Sequence, residues 1–132
     1  MTPAPLPPRP DLVVGIDGGG TRTHALLARK DTGAVLGRGA GGPSNICSVG
    51  EDAGVRALDD AVGRAFAEAG LPRATVAAAC LGLAGIDHDS GLDVILAWAN
   101  RAGLAAKVDV ANDSALLLAA GTPDGWGLAV IA

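Results

Sequence analysis

The sequence predicts an α/β domain: a mixed sheet with helices on both faces, in the order β-β-β-α-β-α-β-α and then the start of one further strand. Two patterns point to it. Residues 12–38 hold three short extended stretches parted by tight-turn residues, and residues 48–121 then alternate helical and extended patterns. A third observation sets the kind of core. Hydrophobic residues make up 49% of the 132-residue chain but aromatics only 2%, so Val, Leu, Ile and Ala must fill the interior.

Leu12-Val-Val-Gly-Ile16 is an apolar run that ends at Asp17 and three consecutive glycines, as a buried strand entering a tight turn would. Thr23–Arg29 is the second strand, Lys30-Asp-Thr-Gly33 a turn, and Ala34–Arg38 the third strand of an antiparallel meander. Gly39–Asn45 reads as a loop, too rich in glycine for regular structure. Ser48 and Glu51 have the spacing of a capping box. The helix after them shows an apolar stripe of Val55, Leu58, Val62, Phe66 and Ala69, with Asp60 and Arg64 paired four apart on the outer face, and stops at Gly70 and Pro72. Thr75–Gly82 is a strand, Ser90 opens a helix bearing Leu92, Ile95, Leu96 and Ala99, and Gly103 closes it. Lys107–Ala111 is a strand, Asn112–Gly121 a short helix apolar all round, and Gly127–Ala132 the beginning of another strand.

Ten basic against 14 acidic residues give a net charge of −4, which disfavours nucleic acid and anionic membrane as partners. Two cysteines without CxxC spacing make no disulfide framework, so a reducing, cytoplasmic setting is expected. No apolar run approaches the roughly 20 residues needed to span a bilayer. Residues 1–10 carry five prolines and no apolar core of a secretory signal; they read as an extended, mobile arm.

The strongest chemical feature is Asp17-Gly-Gly-Gly-Thr-Arg-Thr23 after a buried strand. Gly18, Gly19 and Gly20 let backbone N–H groups converge on an anion, Thr21 adds a hydroxyl donor, Arg22 adds charge, and Asp17 is placed to hold Mg²⁺ directly or through its waters. Two better-known phosphate motifs fail here. A P-loop needs Lys after the second glycine, where Thr21 and Arg22 stand, and a dinucleotide fingerprint needs a third glycine opening a helix, where Thr23 and an extended stretch stand. A plain glycine-rich hairpin is the competing reading.

Asn112-Asp113-Ser114 falls where a strand ends and a helix begins, the place where open α/β sheets bind ligands. A carboxylate at Asp113 can accept the proton of a substrate hydroxyl attacking phosphorus, though the same pattern is also a plain helix N-cap. Asn45, in the loop Gly41-Gly-Pro-Ser-Asn45, can both donate to and accept from sugar hydroxyls, or serve the turn alone.

Together these pieces resemble the N-terminal lobe of the actin-like ATPase and sugar kinase superfamily, a ribonuclease H-like fold. The subgroup they resemble most is the BadF/BadG/BcrA/BcrD ATPase family, which includes N-acetylglucosamine kinase. Val14–Thr23 is similar to its first phosphate motif and Gly42-Pro-Ser-Asn45 to its sugar loop. Leu81-Gly-Leu-Ala-Gly85, Val110–Ser114 and Thr122-Pro-Asp-Gly125 complete the series in order. The resemblance implies ATP and Mg²⁺ as cofactors, with Thr21 and the glycine backbone on the phosphates and Asp17 near the metal. It further implies an amino sugar such as N-acetylglucosamine bound by Asn45 and Asp113, with Asp113 as base on the C6 hydroxyl.

In that family ATP lies between two lobes, and the second phosphate loop belongs to the second. The resemblance thus divides the chain into an arm at 1–10, a lobe at 11–125 and the start of a second lobe at 126–132. Half an enzyme of this kind is expected to show no kinase turnover alone, and its last strand, without a sheet, leaves an apolar edge that favours self-association into a homodimer. Two other functions stay open: an ATPase that activates a 2-hydroxyacyl-CoA dehydratase, and a non-catalytic sugar- or nucleotide-binding module. Asn45 in its Pro-Ser-Asn setting favours the kinase. Cys47 and Cys80 read as small buried hydrophobes, His24 and His88 lack ligand spacing, and Trp98 and Trp126 read as packing residues.

Overall fold

A computed structural model describes residues 6–83 and 89–111. Within them lie β1 (Pro8–Gly18), β2 (Thr23–Arg29), β3 (Val35–Gly41), α1 (Ile46–Val49), α2 (Glu51–Ala69), β4 (Thr75–Leu83), α3 (Asp89–Ala102) and β5 (Ala105–Ala111). The five strands form one sheet in the order β3-β2-β1-β4-β5. β1–β2 and β2–β3 are antiparallel, as the meander requires, while β1–β4 and β4–β5 are parallel. The mixed α/β sheet predicted from the pattern is therefore the observed one, while the two long helices among the described residues cover one face rather than both. The third helix, Asn112–Gly121, and the strand Gly127–Ala132 lie outside the described residues.

Strand pairing assigns the two faces. Val14 and Ile16 of β1 stand opposite Leu27 and Ala25 of β2 and Ala79 and Leu81 of β4. With Leu12 and Leu83 they form the sheet's half of the core, and Leu58, Val62, Phe66, Ile95, Trp98 and Ala99 form the helical half. α2 and α3 lie side by side on this face, and Asp59 of α2 accepts hydrogen bonds from the Trp98 indole and from Arg73. Val13, Leu26 and Cys80 alternate onto the opposite face.

Both long helices end as their glycines predict. Gly70 has φ 73°, with its N–H bonded to the Ala67 carbonyl and that of Leu71 to Phe66; Gly103 has φ 62°, with the same pair of bonds to Asn100 and Ala99. Only a residue without Cβ takes that left-handed conformation cheaply.

Four local expectations need correction. β3 runs on to Gly41, so Gly39–Gly41 are strand and not loop: a Cβ on Gly37, Gly39 or Gly41 would overlap the carbonyl oxygens of Ala65, Ala61 and Ala57 in α2. Glycine is there because the helix backbone rests directly on the strand. The capping box does not form, because Ser48 is inside α1 and the N-cap of α2 is Gly50, at φ 91°, with no side-chain cap bond. The exposed Arg64 donates instead to the Ala40 carbonyl of β3. Finally, β1 begins at Pro8, inside the segment read as a mobile arm. Pro8 and Arg9 pair with Thr75 and Val76, the Thr75 N–H bonds the Pro7 carbonyl at 2.9 Å, and the register shift between Arg9 and Val13 takes up Pro10, which has no N–H to offer.

Candidate functional site

Because β2 is antiparallel to both its neighbours, β1, β3, β4 and β5 all run the same way. Their carboxyl ends at Gly18, Gly41, Leu83 and Ala111 therefore share one edge of the sheet. That edge carries the sequence-predicted residues that fall within the described chain.

The glycine turn is a hairpin between β1 and β2. Gly18 pairs with Thr23, and the Gly19 N–H bonds the Arg22 carbonyl at 2.9 Å, leaving Gly20 and Thr21 at the tip. The tip is open: a Cβ on Gly20 would meet nothing within 4 Å, and Thr21 and Arg22 are exposed. Gly19 spends its N–H on closing the turn, so what it offers an incoming phosphate is close backbone approach rather than that donor. Gly18 differs again, since its Cβ would overlap the Ser44 hydroxyl and come within 2.7 Å of Leu83 Cδ2.

Asp17 is half-buried and lies on the face opposite the helices, between His24 on β2 and Gly82 on β4. Gly82 in turn pairs with Ala111 of β5. One row across the sheet thus runs Ala40, His24, Asp17, Gly82, Ala111. Asp113, two residues after Ala111, lies outside the described residues, but the strand that leads to it ends in this row. Among the described residues no group of three or more His, Cys, Asp or Glu could hold a metal ion by itself. One carboxylate beside an open glycine turn suits Mg²⁺ that keeps most of its waters and takes other oxygens from a phosphate.

Asn45 is half-buried at the start of α1, where its carbonyl accepts the N–H groups of Ser48 and Val49, both at 3.0 Å. Its loop is bonded to the glycine turn: the Ser44 N–H reaches the Gly19 carbonyl at 3.1 Å and the Thr23 hydroxyl the Gly42 carbonyl at 2.7 Å. Thr23 and Ser44 were not singled out from the sequence. The available signal was phase, since Thr23 alternates with Ala25 and Leu27 on the buried face of β2.

Cys80 is half-buried on the opposite face, paired with Asp109 of β5, and its thiol is pushed above the ordinary value, first by burial and then by the Asp109 charge. No helix among the described residues is long and apolar enough to cross a membrane.

Known proteins are similar to this chain in sequence and in fold. The chain is 32% identical over 119 residues to the N-acetylmuramic acid/N-acetylglucosamine kinase of Clostridium acetobutylicum, a match covering 90% of this chain and 39% of that protein. It is 29% identical over 120 residues to the N-acetyl-D-glucosamine kinase of Dictyostelium discoideum, covering 85% and 37%. A crystal structure from Chromobacterium violaceum, assigned to the N-acetylglucosamine kinases, superposes with a TM-score of 0.66 at 31% identity over 84% of this chain and 38% of that one. The chain thus spans less than two fifths of the length of the relatives it matches. Residues 14–132 match a single family over the hairpin, the sheet and the stretch beyond β5, and the chain belongs to it: the BadF/BadG/BcrA/BcrD ATPase family.

Proposed function

We propose that this chain supplies the acceptor-binding half of an ATP-dependent amino-sugar kinase that transfers a phosphoryl group to a hydroxyl of N-acetylglucosamine or a close relative. The observation that carries the reading is the bonding of the Asn45 loop to the glycine turn at the edge where β1, β4 and β5 end. Phosphate-binding and hydroxyl-binding groups are thereby held side by side. Both named kinase relatives favour this over a dehydratase-activating ATPase or a non-catalytic binding module.

Bound Mg-ATP supplies the phosphoryl group. The backbone of Gly18–Gly20 approaches the phosphate oxygens closely, Thr21 donates its hydroxyl, and Arg22 offers positive charge from the exposed side of the turn. Asp17 would hold Mg²⁺ directly or through its waters, and the ion would offset the phosphate charge. Asn45 orients the sugar by donating to one hydroxyl and accepting from another. Asp113 binds the sugar and accepts the proton of the attacking hydroxyl, which makes that oxygen a better nucleophile. The 132-residue chain alone does not complete a turnover, the enzyme works in the cytoplasm, and it associates as a homodimer.

The test is ATP-dependent phosphorylation of N-acetylglucosamine by the protein expressed from its complete reading frame. Asp113→Asn is expected to lower kcat by about 10³-fold while sugar binding persists, the scale typical of losing a general base. An Asp113→Asn enzyme with wild-type kcat would remove the assigned base, and bound iron in place of kinase activity would favour the dehydratase activator.

A further inference from the structure

The buried polar groups of the sheet face under α2 gather where the glycine turn meets the Asn45 loop. Thr23, the first residue of β2, is fully buried and donates to the Gly42 carbonyl at 2.7 Å. Ser44 is 2% exposed; its N–H bonds the Gly19 carbonyl, and its hydroxyl, which has no hydrogen-bond partner among the described residues, occupies the space a Gly18 Cβ would need. On the loop's other side, a Cβ on Gly54 in the first turns of α2 would press on the Ser44 carbonyl at 3.2 Å. The segment just before Asn45 is thus wedged between the end of β1 and the start of α2, and the two glycines that flank it leave just enough room.

We propose that Thr23 and Ser44 are positioning residues that set Asn45 at a fixed distance from the glycine turn, so that acceptor hydroxyl and phosphoryl donor meet in register. The proposal rests on the amino-sugar kinase reading above. A valine at position 23 would fill the same volume, so what the threonine adds is one directed bond across the junction. Neither hydroxyl needs to touch a ligand. Thr23 acts through its hydroxyl bond to the Gly42 carbonyl and Ser44 through its N–H bond to the Gly19 carbonyl, and misplacement of reacting groups by about 1 Å is enough to cost a large factor in rate.

The experiment compares steady-state kinetics of the protein from its complete reading frame with amide hydrogen exchange at Ser44. Thr23→Val is expected to raise the KM for N-acetylglucosamine about tenfold, the scale of one directed hydrogen bond. The KM for ATP should stay within about twofold of wild type, a change of under half a kcal/mol, and Thr23→Ser should restore the sugar KM. Exchange of the Ser44 N–H should quicken in Thr23→Val. Gly18→Ala, whose Cβ would meet both the Ser44 hydroxyl and Leu83 Cδ2, should raise the sugar KM by displacing Ser44, and adding Ser44→Ala should recover the part of the loss that the overlapped hydroxyl causes. A wild-type sugar KM in Thr23→Val, or a Thr23→Ser enzyme no better than Thr23→Val, overturns the proposal while leaving the kinase reading intact. If Thr23→Val does not fold, the Gly18 and Ser44 pair decides, and absence of recovery overturns it. Wild-type protein that phosphorylates no amino sugar sinks the kinase reading instead, and unchanged Ser44 exchange in Thr23→Val then overturns the clamp by itself.

Discussion

The two long helices cover the same face of the sheet by opposite means. α2 lies on β3 with almost nothing between the two backbones: Gly37, Gly39 and Gly41 face Ala65, Ala61 and Ala57, and a Cβ on any of these three glycines would strike a helix carbonyl. α3 is held off β4 and β5 by real side chains, with Ile95, Trp98 and Ala99 buried beneath it. The first contact allows one fit; the second can repack. The difference bears on the site, because the close contact is the one that fixes the start of α2 and hence the loop wedged against it, whereas α3 contributes core volume.

The sharpest way to break the comparison is Gly39→Val. Its side chain would be driven into backbone rather than into a flexible neighbour, so the cost should exceed the roughly 3 kcal/mol at the top of the usual overpacking range. No cooperative melting transition is expected by circular dichroism, and a stable variant would show that α2 can lift away. On the other helix, Ile95→Ala should cost about 3 kcal/mol by chemical denaturation, within the range for large-to-small core changes, and the chain should remain folded. Asp59→Ala, which removes the acceptor shared by Trp98 and Arg73 between α2 and α3, should cost about 1 kcal/mol, since the groups are partly exposed. The smallest effect belongs to the opposite face. The Cys80 thiol, raised by burial and by Asp109, should alkylate at pH 8 more slowly than a peptide thiol, with Asp109→Asn recovering a minor part of the rate. Because the native value is raised, the contribution to stability is fully present below the ordinary value of 9.0 and is lost as pH rises through the elevated one.

The same contrast explains which parts of the fold were legible in the sequence. Features written within a few residues were read correctly: the meander, the stripe of Leu58, Val62 and Phe66, and the stops at Gly70 and Gly103. Features whose cause lies far along the chain were not. Gly39–Gly41 resembles a loop until Ala57 and Ala61 are seen resting on it some twenty residues later. Ser48 and Glu51 have the letters of a capping box, but the sharp passage from α1 to α2 needs Gly50 at positive φ between them. Pro8 looked like part of a free arm because its partner, Thr75, is 67 positions away. At the site, the glycine turn was legible because an acid, three glycines and a threonine form an unusual hairpin. Asn45 is legible as an amide able to meet sugar hydroxyls, and the resemblance is what favours that role over a plain turn. The threonine and serine that hold its loop were missed because, taken singly, each is an ordinary polar residue beside a turn.

The strand order has a consequence for how the chain is made. Of the five described strands β1 is made before the others yet sits third, with its antiparallel side satisfied by β2 a few residues later and its parallel side waiting for β4. A nascent chain that has emerged through Ala69 can close the meander and lay α2 across it while one flank of the central strand is still unclaimed. The sheet is then finished by a segment arriving after the helix, so stalled synthesis at that stage would leave an adhesive edge for a chaperone to shield.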